Sequence, residues 1–227
     1  MSSTTKVFLV SGNKGKLSEV QHYLNKAKIT VEAVKVDLTE TQNSSAELIS
    51  HDKAVEAYRL VNKMPVGEPL RNGGIPVIVD DTSLEFDALG GLPGPYVKWF
   101  LDRLGVEGLL KMVRGFAAAG EGESMQPAPT HRQAAAVCII SYCYGVDEAA
   151  GTPLVKQFKG VCRGALPSTP RGTVGFGWDS IFAPEAQQPP YDKTFAEMTV
   201  EAKNALSHRA KALGLLTSYL KTHAECQ

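Results

Sequence analysis

The fold is indicated first by the stretch VFLVSGNKGKLSEVQHYL, residues 7–24. Its first four residues form a continuous apolar run that Ser-Gly-Asn closes, which is typical of a buried strand entering a turn. Leu17, Val20 and Leu24 then recur at helical spacing, so we expect a helix whose apolar face packs on a sheet. The stretch therefore predicts a β-turn-α unit.

The turn inside this unit has the composition of an anion site. It joins the backbone N–H groups and the positive dipole end of a helix N-terminus to two lysines. It lacks the G-x-x-x-x-G-K-[ST] spacing of a P-loop. From these residues alone, a phosphate site and an ordinary helix start with solvated lysines are equally good interpretations. The turn residues are Ser11, Gly12, Asn13, Lys14, Gly15 and Lys16.

The rest of the chain alternates candidate strands with candidate helices. Helices are predicted over 45–62, over 96–104 and near the C-terminus. Strands are predicted over residues 31–36, 76–79, 83–87, 134–144 and 154–162, the last two as neighbours in a long hairpin. This alternation favours an α/β fold, with a central mixed sheet and helices packed on it, in a single domain of residues 1–227.

Two of the predicted helices carry polar residues of interest. Lys53 lies off the apolar face predicted for the 45–62 helix, which consists of Leu48, Ala54, Val55, Tyr58 and Val61. The C-terminal helix has an apolar stripe of Leu206, Ala210, Leu213, Thr217 and Leu220. If this helix is continuous, its opposite face carries Lys203, Asn204, Ser207, His208 and Lys211. Alternatively, Ser207 is an N-cap that starts the helix.

Composition and charge exclude several function classes. The 24 Lys and Arg residues balance the 24 Asp and Glu residues, so no overall field attracts nucleic acid or an anionic membrane. The apolar run after the N-terminus is too short for a signal peptide, and no stretch has the length of a membrane span. The four cysteines lack C-x-x-C spacing, which favours thiols in a reducing compartment. We therefore expect a soluble, cytoplasmic protein with neither nucleic-acid nor membrane partners.

Two segments interrupt the alternation of strands and helices. Residues 63–74 are rich in glycine and proline, and residues 117–132 are small and polar with two prolines. We interpret the first as a loop and the second as a flexible insertion loop rather than a domain linker.

Clustered carboxylates point to a cation. Asp80-Asp81 follows the predicted strand 76–79 directly, Glu85 and Asp87 come soon after, and Glu40 follows another strand candidate. Mg²⁺ is bound in proteins by one or two carboxylates together with substrate phosphate oxygens. Because neighbouring strand residues face opposite ways, only one of the Asp80-Asp81 pair is expected to reach a given metal. Solvated loop acids are the alternative interpretation.

Two further segments could recognise a base. Gly175-Phe176-Gly177-Trp178-Asp179 places two aromatic residues among glycines, a composition suited to stacking, although core packing explains it equally well. Ser207-His208-Arg209 supplies adjacent hydrogen-bond donors, which a purine edge could use. Taken alone, a His-Arg pair is more often a solvated surface.

Taken together and in order, these segments resemble the inosine triphosphate pyrophosphatase family across nearly the whole chain. The resemblance is carried by SGNKGK at 11–16, VDDTSLEFDALGGLPGPYVKWFL at 79–101, GFGWDSIF at 175–182 and TFAEMTVEAKNALSHR at 194–209. It implies an elongated α/β fold with a central mixed, twisted sheet and two lobes around a deep cleft, as a homodimer. Trp178 stands where many members have tyrosine, and Ser180 replaces a common proline.

The resemblance also implies the residue roles. It assigns residues 11–16 to the triphosphate, Glu40 and Asp81 to Mg²⁺, for which Mn²⁺ can substitute, and Lys53 to the substrate. Asp81, beside Thr82, matches the position linked to water activation, and Lys16 and Lys53 join Asp81 as catalytic candidates. Phe176, Gly177, Trp178 and Asp179 match the base-stacking segment, while Lys203, His208 and Arg209 match further substrate contacts.

The implied reaction is hydrolysis of ITP, dITP and XTP to the monophosphate and pyrophosphate. Donors facing position 6 of the purine would donate to an oxo group and disfavour the amino group of adenine, by about 1–3 kcal/mol. Two alternatives stay open from the sequence. One is a Maf-type nucleotide pyrophosphatase with another base preference, and the other is a nucleotide-binding sensor without catalysis.

Overall fold

The computed structural model describes residues 6–64, 74–117, 130–187 and 192–223. These residues form a seven-stranded sheet in the order β2-β1-β3-β5-β6-β7, with β4 paired to β3. β1 runs parallel to β2 and β3, whereas β4 is antiparallel to β3 and β7 to β6, so the sheet is mixed as expected. The strands are β1 (Lys6–Val10), β2 (Thr30–Val34), β3 (Val77–Phe86), β4 (Pro93–Gly94), β5 (Gln133–Val146), β6 (Pro153–Ala165) and β7 (Ala183–Pro184).

Five α-helices accompany the sheet within the described residues: α1 (Lys14–Lys26), α2 (Ala46–Val61), α3 (Val97–Arg114), α4 (Val200–Leu206) and α5 (His208–Thr222). None of the helices in the described ranges combines the length and the apolar character that crossing a membrane requires. The predicted α/β class with a mixed sheet is confirmed.

The chain packs as two compact units, each built from separate stretches of sequence. Unit 1 consists of residues 1–81, 139–159 and 211–227, and unit 2 of residues 82–138 and 160–210. The core of unit 1 lies between α2 and the strands, with Phe8, Ala54, Tyr58, Val61 and Val77 among its residues. The core of unit 2 is more aromatic and includes Phe86, Leu109, Trp178, Phe182 and Phe195. Burial of these apolar surfaces stabilises each unit.

The β-turn-α unit at the start of the chain forms as predicted. Residues 7–10 of β1 are buried, and α1 buries Val20 and Leu24. Asn13 is the N-cap of α1, since its side-chain oxygen accepts a hydrogen bond from the backbone N–H of Lys16 at 3.1 Å. The cap satisfies one of the donors that a helix start leaves unpaired and so fixes where α1 begins.

α2 corrects part of the predicted apolar face. Ser45 caps the helix by accepting from the N–H of Leu48 at 3.2 Å, and Ala54, Tyr58 and Val61 are buried as expected. Leu48 itself is 53% exposed, so its inclusion in the apolar face was wrong. It lies in the first turn, where the N-cap fixes the helix start and the buried face is instead supplied by Ile49 and Ser50.

β3 also differs from the prediction. The strand does not stop before Asp80 but continues to Phe86, so Asp80 and Asp81 lie inside it rather than at its end. Leu84 and Glu85 pair with the short strand β4, which supports the extension. The two predicted strands 76–79 and 83–87 are one strand, and the acidic pair interrupts only its apolar pattern.

The segment after β3 contains backbone that only glycine adopts readily. Gly90, Gly91 and Gly94 have φ values of 60°, 96° and 56°, which L-residues with a Cβ disfavour. α3 then runs well past the predicted end at Leu104, interrupted at Gly105, where φ is 66°. The extension buries Leu109, Leu110 and Val113, which the shorter prediction omitted.

The hairpin and the C-terminal region match the sequence closely. β5 and β6 are hydrogen-bonded neighbours, as predicted. The C-terminal region is two helices rather than one, because Ser207 separates α4 from α5 and its hydroxyl accepts from the N–H of Ala210 at 3.1 Å. The N-cap alternative is therefore confirmed, and the continuous helix from Lys203 is wrong. The predicted loops 63–74 and 117–132 lie mostly outside the described residues.

Candidate functional site

The turn 11–16 follows the carboxyl end of β1 and is shaped by its own side chains. The Ser11 hydroxyl accepts a hydrogen bond from the N–H of Asn13 at 3.2 Å. Gly12, Asn13 and Lys14 are exposed. Among the described residues, no atom lies within 4 Å of where a Cβ on Gly12 would be, so a ligand can approach the backbone there. The N–H groups of the first helical residues have no partner inside α1, and such groups are suited to binding an anion.

Lys16 is fixed at the base of the turn by β3. Its Nζ lies 2.9 Å from Oδ1 of Asp80 and donates to the Asp80 carbonyl oxygen at 2.7 Å. The Asp80 side chain is fully buried, with 0% exposed, while that of Lys16 is 19% exposed. Asp80 therefore anchors the lysine. Sequence reasoning assigned it no role, although strand alternation did separate it from Asp81.

Asp81 faces a second lysine. Nζ of Lys53 lies 3.0 Å from Oδ1 of Asp81 and 2.8 Å from Oε2 of Glu40. We call Glu40, Lys53 and Asp81 the Lys53 group. The sequence analysis singled out all three, which lie in a loop, a helix and a strand. Within unit 1, Lys53 contacts both carboxylates directly.

The protonation state of Lys53 follows from these contacts. Burial alone would lower its pKa, but the charges of Asp81 and Glu40 and the hydrogen bonds to them outweigh burial, so the pKa is raised above its ordinary value. Lys53 is therefore a permanent cation at neutral pH. It can neutralise phosphate charge but cannot serve as a base there.

The Lys53 group also has the oxygen atoms that a hard cation needs. Oδ2 of Asp81 is buried and has no hydrogen-bond partner within the described part of the chain, and the Glu40 side chain is 46% exposed. No set of three or more His, Cys, Asp or Glu side chains in the described ranges is arranged to hold a metal. Two carboxylates fit a cation that takes its remaining ligands from phosphate oxygens and water. Asp87, a candidate from the sequence, instead binds Arg163, with Oδ1 at 3.0 Å from Nη1.

Unit 2 contains the second set of predicted residues. Gly175 and Gly177 have positive φ values of 97° and 64°, and the N–H of Phe176 donates to Oδ2 of Asp179 at 2.9 Å. The same carboxylate oxygen binds Nζ of Lys203 at 2.7 Å, in a pair whose side chains are 8% and 6% exposed.

Phe176 lies beside two cations. Nζ of Lys203 is 5.0 Å from the centre of its ring, and the guanidinium carbon of Arg209 is 5.7 Å away. Phe176 is half-buried, whereas Trp178 is only 8% exposed and packs in the aromatic core. The Trp178 ring centre lies 5.3 Å from that of His208. Of the two predicted stacking residues, Phe176 is the more accessible.

His208 and Arg209 are not a solvated pair. They begin α5, and they are only 2% and 3% exposed. Arg209 donates from Nη2 to the hydroxyl of Thr82 at 3.1 Å. The alternative interpretation, a solvated surface pair, is therefore wrong, because both side chains follow the Ser207 cap and are buried within unit 2. We call Phe176, Lys203, His208 and Arg209 the Arg209 group.

The chain is similar to known proteins over almost its whole length. The family model described as the Ham1 family matches residues 7–219. A Leishmania major protein named inosine triphosphate pyrophosphatase is 78% identical over 224 residues, which cover 99% of this chain and 96% of that protein. Inosine triphosphate pyrophosphatase 2 of Trypanosoma cruzi is 44% identical over 218 residues, covering 96% and 93% of the two chains.

Solved structures show the same fold. The Staphylococcus aureus Ham1 protein superposes with a TM-score of 0.67 at 27% identity, covering 96% of this chain and 100% of that one. A Mycobacterium abscessus structure, described as a nucleoside-triphosphatase or dITP/XTP pyrophosphatase, gives a TM-score of 0.57 at 25% identity, with 93% and 98% covered.

Proposed function

This chain belongs to the Ham1 family, and from that premise we propose that it hydrolyses non-standard purine nucleoside triphosphates, namely ITP, dITP and XTP. The products are the nucleoside monophosphate and pyrophosphate, so the enzyme is a hydrolase acting on acid anhydrides that removes such nucleotides from the pool. The observation that carries the proposal is the contact of Lys53 with both Glu40 and Asp81. It places the ammonium group of a lysine beside two carboxylates that are suited to binding a metal ion.

We assign the triphosphate to the turn 11–16 and to Lys53. The turn offers helix N-terminal N–H groups and an open approach at Gly12, and Lys16 is oriented by Asp80. Phosphoryl transfer leaves little covalent work for a protein, so catalysis depends on positioning and charge neutralisation. Lys14, Lys16 and Lys53 supply positive charge against the pyrophosphate leaving group.

Glu40 and Asp81 are our candidates for holding Mg²⁺, or Mn²⁺ in its place. The buried Oδ2 of Asp81 supports this assignment, because a carboxylate oxygen without a partner is costly unless a cation or water binds it. The ion, when bound, supplies Lewis-acid polarisation of phosphate oxygens. Asp81 positions the attacking water at the α-phosphorus, while Lys53 orients the carboxylate through its 3.0 Å contact with Oδ1.

We assign the base to the Arg209 group. The half-buried ring of Phe176 offers a stacking surface, and base stacking on an aromatic side chain contributes about 1–3 kcal/mol. Arg209 and His208 present donors to the 6-oxo group of hypoxanthine or xanthine. Adenine would place an amino group against these donors, and a mismatched buried polar contact costs about 1–3 kcal/mol. Thr82 orients Arg209, and Asp179 orients Lys203, through the hydrogen bonds described above.

A homodimer in the cytoplasm is the setting we propose. Leu92, Trp99 and Leu104 are 52%, 50% and 47% exposed, and large apolar side chains that are exposed within one segment are typical of an interface. Cys143 is a free and buried cysteine, which fits a reducing compartment. Light scattering should give the mass of two chains, and the mass of one chain would exclude the dimer.

A panel of nucleoside triphosphates with pyrophosphate detection tests the proposal. ITP, dITP and XTP should be turned over with release of pyrophosphate and a kcat/KM at least about tenfold above that for ATP or UTP. Equal turnover of UTP would favour a Maf-type pyrophosphatase. Orthophosphate as the first product would exclude cleavage between the α- and β-phosphates, and binding without turnover would indicate a sensor.

A further inference from the structure

The exposed loop that carries Phe176 has little rigidity of its own. Residues 172–175 are exposed, and Gly172, Gly175 and Gly177 all have positive φ. Glycine restricts the backbone least of all residues, so a loop with three of them needs external restraint to present one ring in one place. That restraint comes from the two ends of the loop and from the segment 192–197.

Arg171, at the start of the loop, makes most of these contacts. Its guanidinium donates to the carbonyl oxygen of Asp192 and, at 3.4 Å, to the carboxylate of the same residue. Its Nε lies 3.4 Å from Oε2 of Glu197 in an ion pair. Its backbone takes part as well, because the carbonyl accepts from the Thr194 hydroxyl at 2.9 Å and the N–H donates to the Ser180 carbonyl at 2.9 Å. We call Arg171, Asp192 and Glu197 the Arg171 clamp.

The loop 172–177 also packs closely against the segment 192–197. A Cβ on Gly172 would lie 2.4 Å from the carbonyl carbon and oxygen of Ala196. The N–H of Val174 donates to the Ala196 carbonyl at 3.2 Å. Next to Ala196, the ring of Phe195 is 6.0 Å from that of His208 and 5.4 Å from Nζ of Lys203. The segment that receives the clamp therefore also packs against the Arg209 group.

We propose that Arg171 is a positioning residue for base recognition: through Asp192 and Glu197 it fixes the loop 172–177 so that Phe176 faces Lys203 and Arg209. Arg171 touches neither substrate nor metal in this account. The inference rests on the proposed function, since it assumes that the base stacks on Phe176. It adds a specificity device whose central residue, Arg171, lies outside the four segments that carry the family resemblance.

The test compares Arg171→Gln with Arg171→Lys in the full-length enzyme. Arg171→Gln removes the charge and the forked donor, so KM for ITP should rise about tenfold, the size of one lost charge-assisted hydrogen bond. kcat should change by less than about threefold, because the Lys53 group is untouched. Arg171→Lys should have a KM between those of the wild type and Arg171→Gln, since lysine restores the positive charge but not the forked guanidinium donors.

Hydrogen exchange gives a readout that does not depend on turnover. Peptides covering 172–177 should exchange faster in Arg171→Gln, whereas those from β1 and α1 should not change. Arg163→Gln is the matched control, because Arg163 makes a comparable ion pair in the same unit, and its partner Asp87 lies outside both the loop and the segment 192–197. It should leave KM and loop exchange unchanged.

Three results would overturn the inference. KM unchanged in a folded Arg171→Gln enzyme would show that the clamp has no effect on the base. A fall in kcat with constant KM would place the effect on chemistry. Gly172→Ala, which forces the loop away from Ala196, should raise KM in the same way, and wild-type KM there would contradict the loop's role. Failure of the wild-type enzyme to hydrolyse ITP would instead refute the proposed function.

Discussion

The two groups of functional side chains differ in how far they are buried. In unit 1, the Glu40 side chain is 46% exposed and those of Lys53 and Asp81 are 15% and 17% exposed. In unit 2, the Lys203 side chain is 8% exposed, His208 and Arg209 are 2% and 3% exposed as whole residues, and all three pack on aromatic rings. The first group is partly open to water and ions, while the second is built into a core.

This difference in burial indicates how the proposed activity is divided between the two units. A partly open carboxylate pair can exchange a hydrated cation and a charged product, which turnover requires. A buried set of donors on a packed core is pre-organised, so a base with the wrong polar pattern leaves donors unsatisfied and is rejected. Unit 1 residues should therefore control the rate of chemistry, and unit 2 residues should control which base is accepted.

The largest expected effect is a loss of turnover caused by a substitution in unit 1. Asp81→Asn keeps the shape of the side chain but removes its charge, so it weakens both the metal site and the positioning of water. We expect kcat to fall by about 10³-fold, within the range for a positioned acid–base group. ITP binding with metal, measured by calorimetry, should stay within about tenfold, because Phe176 and Arg209 are unchanged.

Glu32→Gln is the control for this loss. Glu32 pairs with Lys6 at 2.7 Å on the surface of the same unit, and an exposed pair of this kind contributes little. Its kcat should equal that of the wild type. If turnover in Asp81→Asn equals that of the wild type, the assignment of Asp81 as a catalytic residue is wrong.

A smaller effect is expected at the base. Phe176→Leu keeps an apolar side chain but removes the ring, so KM for ITP should rise about tenfold at nearly constant kcat. Steady-state kinetics with ITP gives both values. Phe116→Leu, at a residue that is 55% exposed, provides the matched control and should behave as wild type. An unchanged KM in Phe176→Leu would leave Trp178 as the stacking residue.

The smallest effect concerns pH. The raised pKa of Lys53 means that its ion pairs are fully present below the ordinary lysine pKa and are lost only as pH rises through the raised value. Lys53 should therefore contribute no alkaline fall in kcat/KM below about pH 10. The profiles of wild type and Lys53→Arg should coincide in shape from neutral pH to that limit. An alkaline fall that moves upward in Lys53→Arg would show that the lysine titrates earlier.

The local parts of the fold could be predicted from the sequence. β1, its turn and α1 follow from contiguous apolar residues, helical spacing and the Asn13 cap, all within residues 7–24. The β5–β6 hairpin was equally clear, because its turn signals lie between two long apolar strands. These elements depend on interactions between near neighbours in the chain.

The parts that could not be predicted depend on distant partners. Asp80 is buried because Lys16, 64 residues away, neutralises its charge. The strand β3 therefore continues through Asp80-Asp81, where the local sequence pattern predicts its end. Arg209 is buried against Thr82, 127 residues away, and Lys203 against Asp179. Burial of a charged side chain requires such a partner, and neither partner is visible from helical spacing. The resemblance to a family selected these residues, but it did not show that they are buried.

The division between the two groups is tested most directly by one ratio, kcat/KM for ITP over kcat/KM for ATP, in Lys53→Met and Arg209→Gln. Lys53→Met should lower both values by about the same factor and leave the ratio as in the wild type, because the contacts described for the lysine are with the carboxylates of unit 1. Arg209→Gln should lower the ratio by about tenfold, the value of one matched polar contact. A ratio that changes in Lys53→Met, or that is unaltered in Arg209→Gln, would contradict the account.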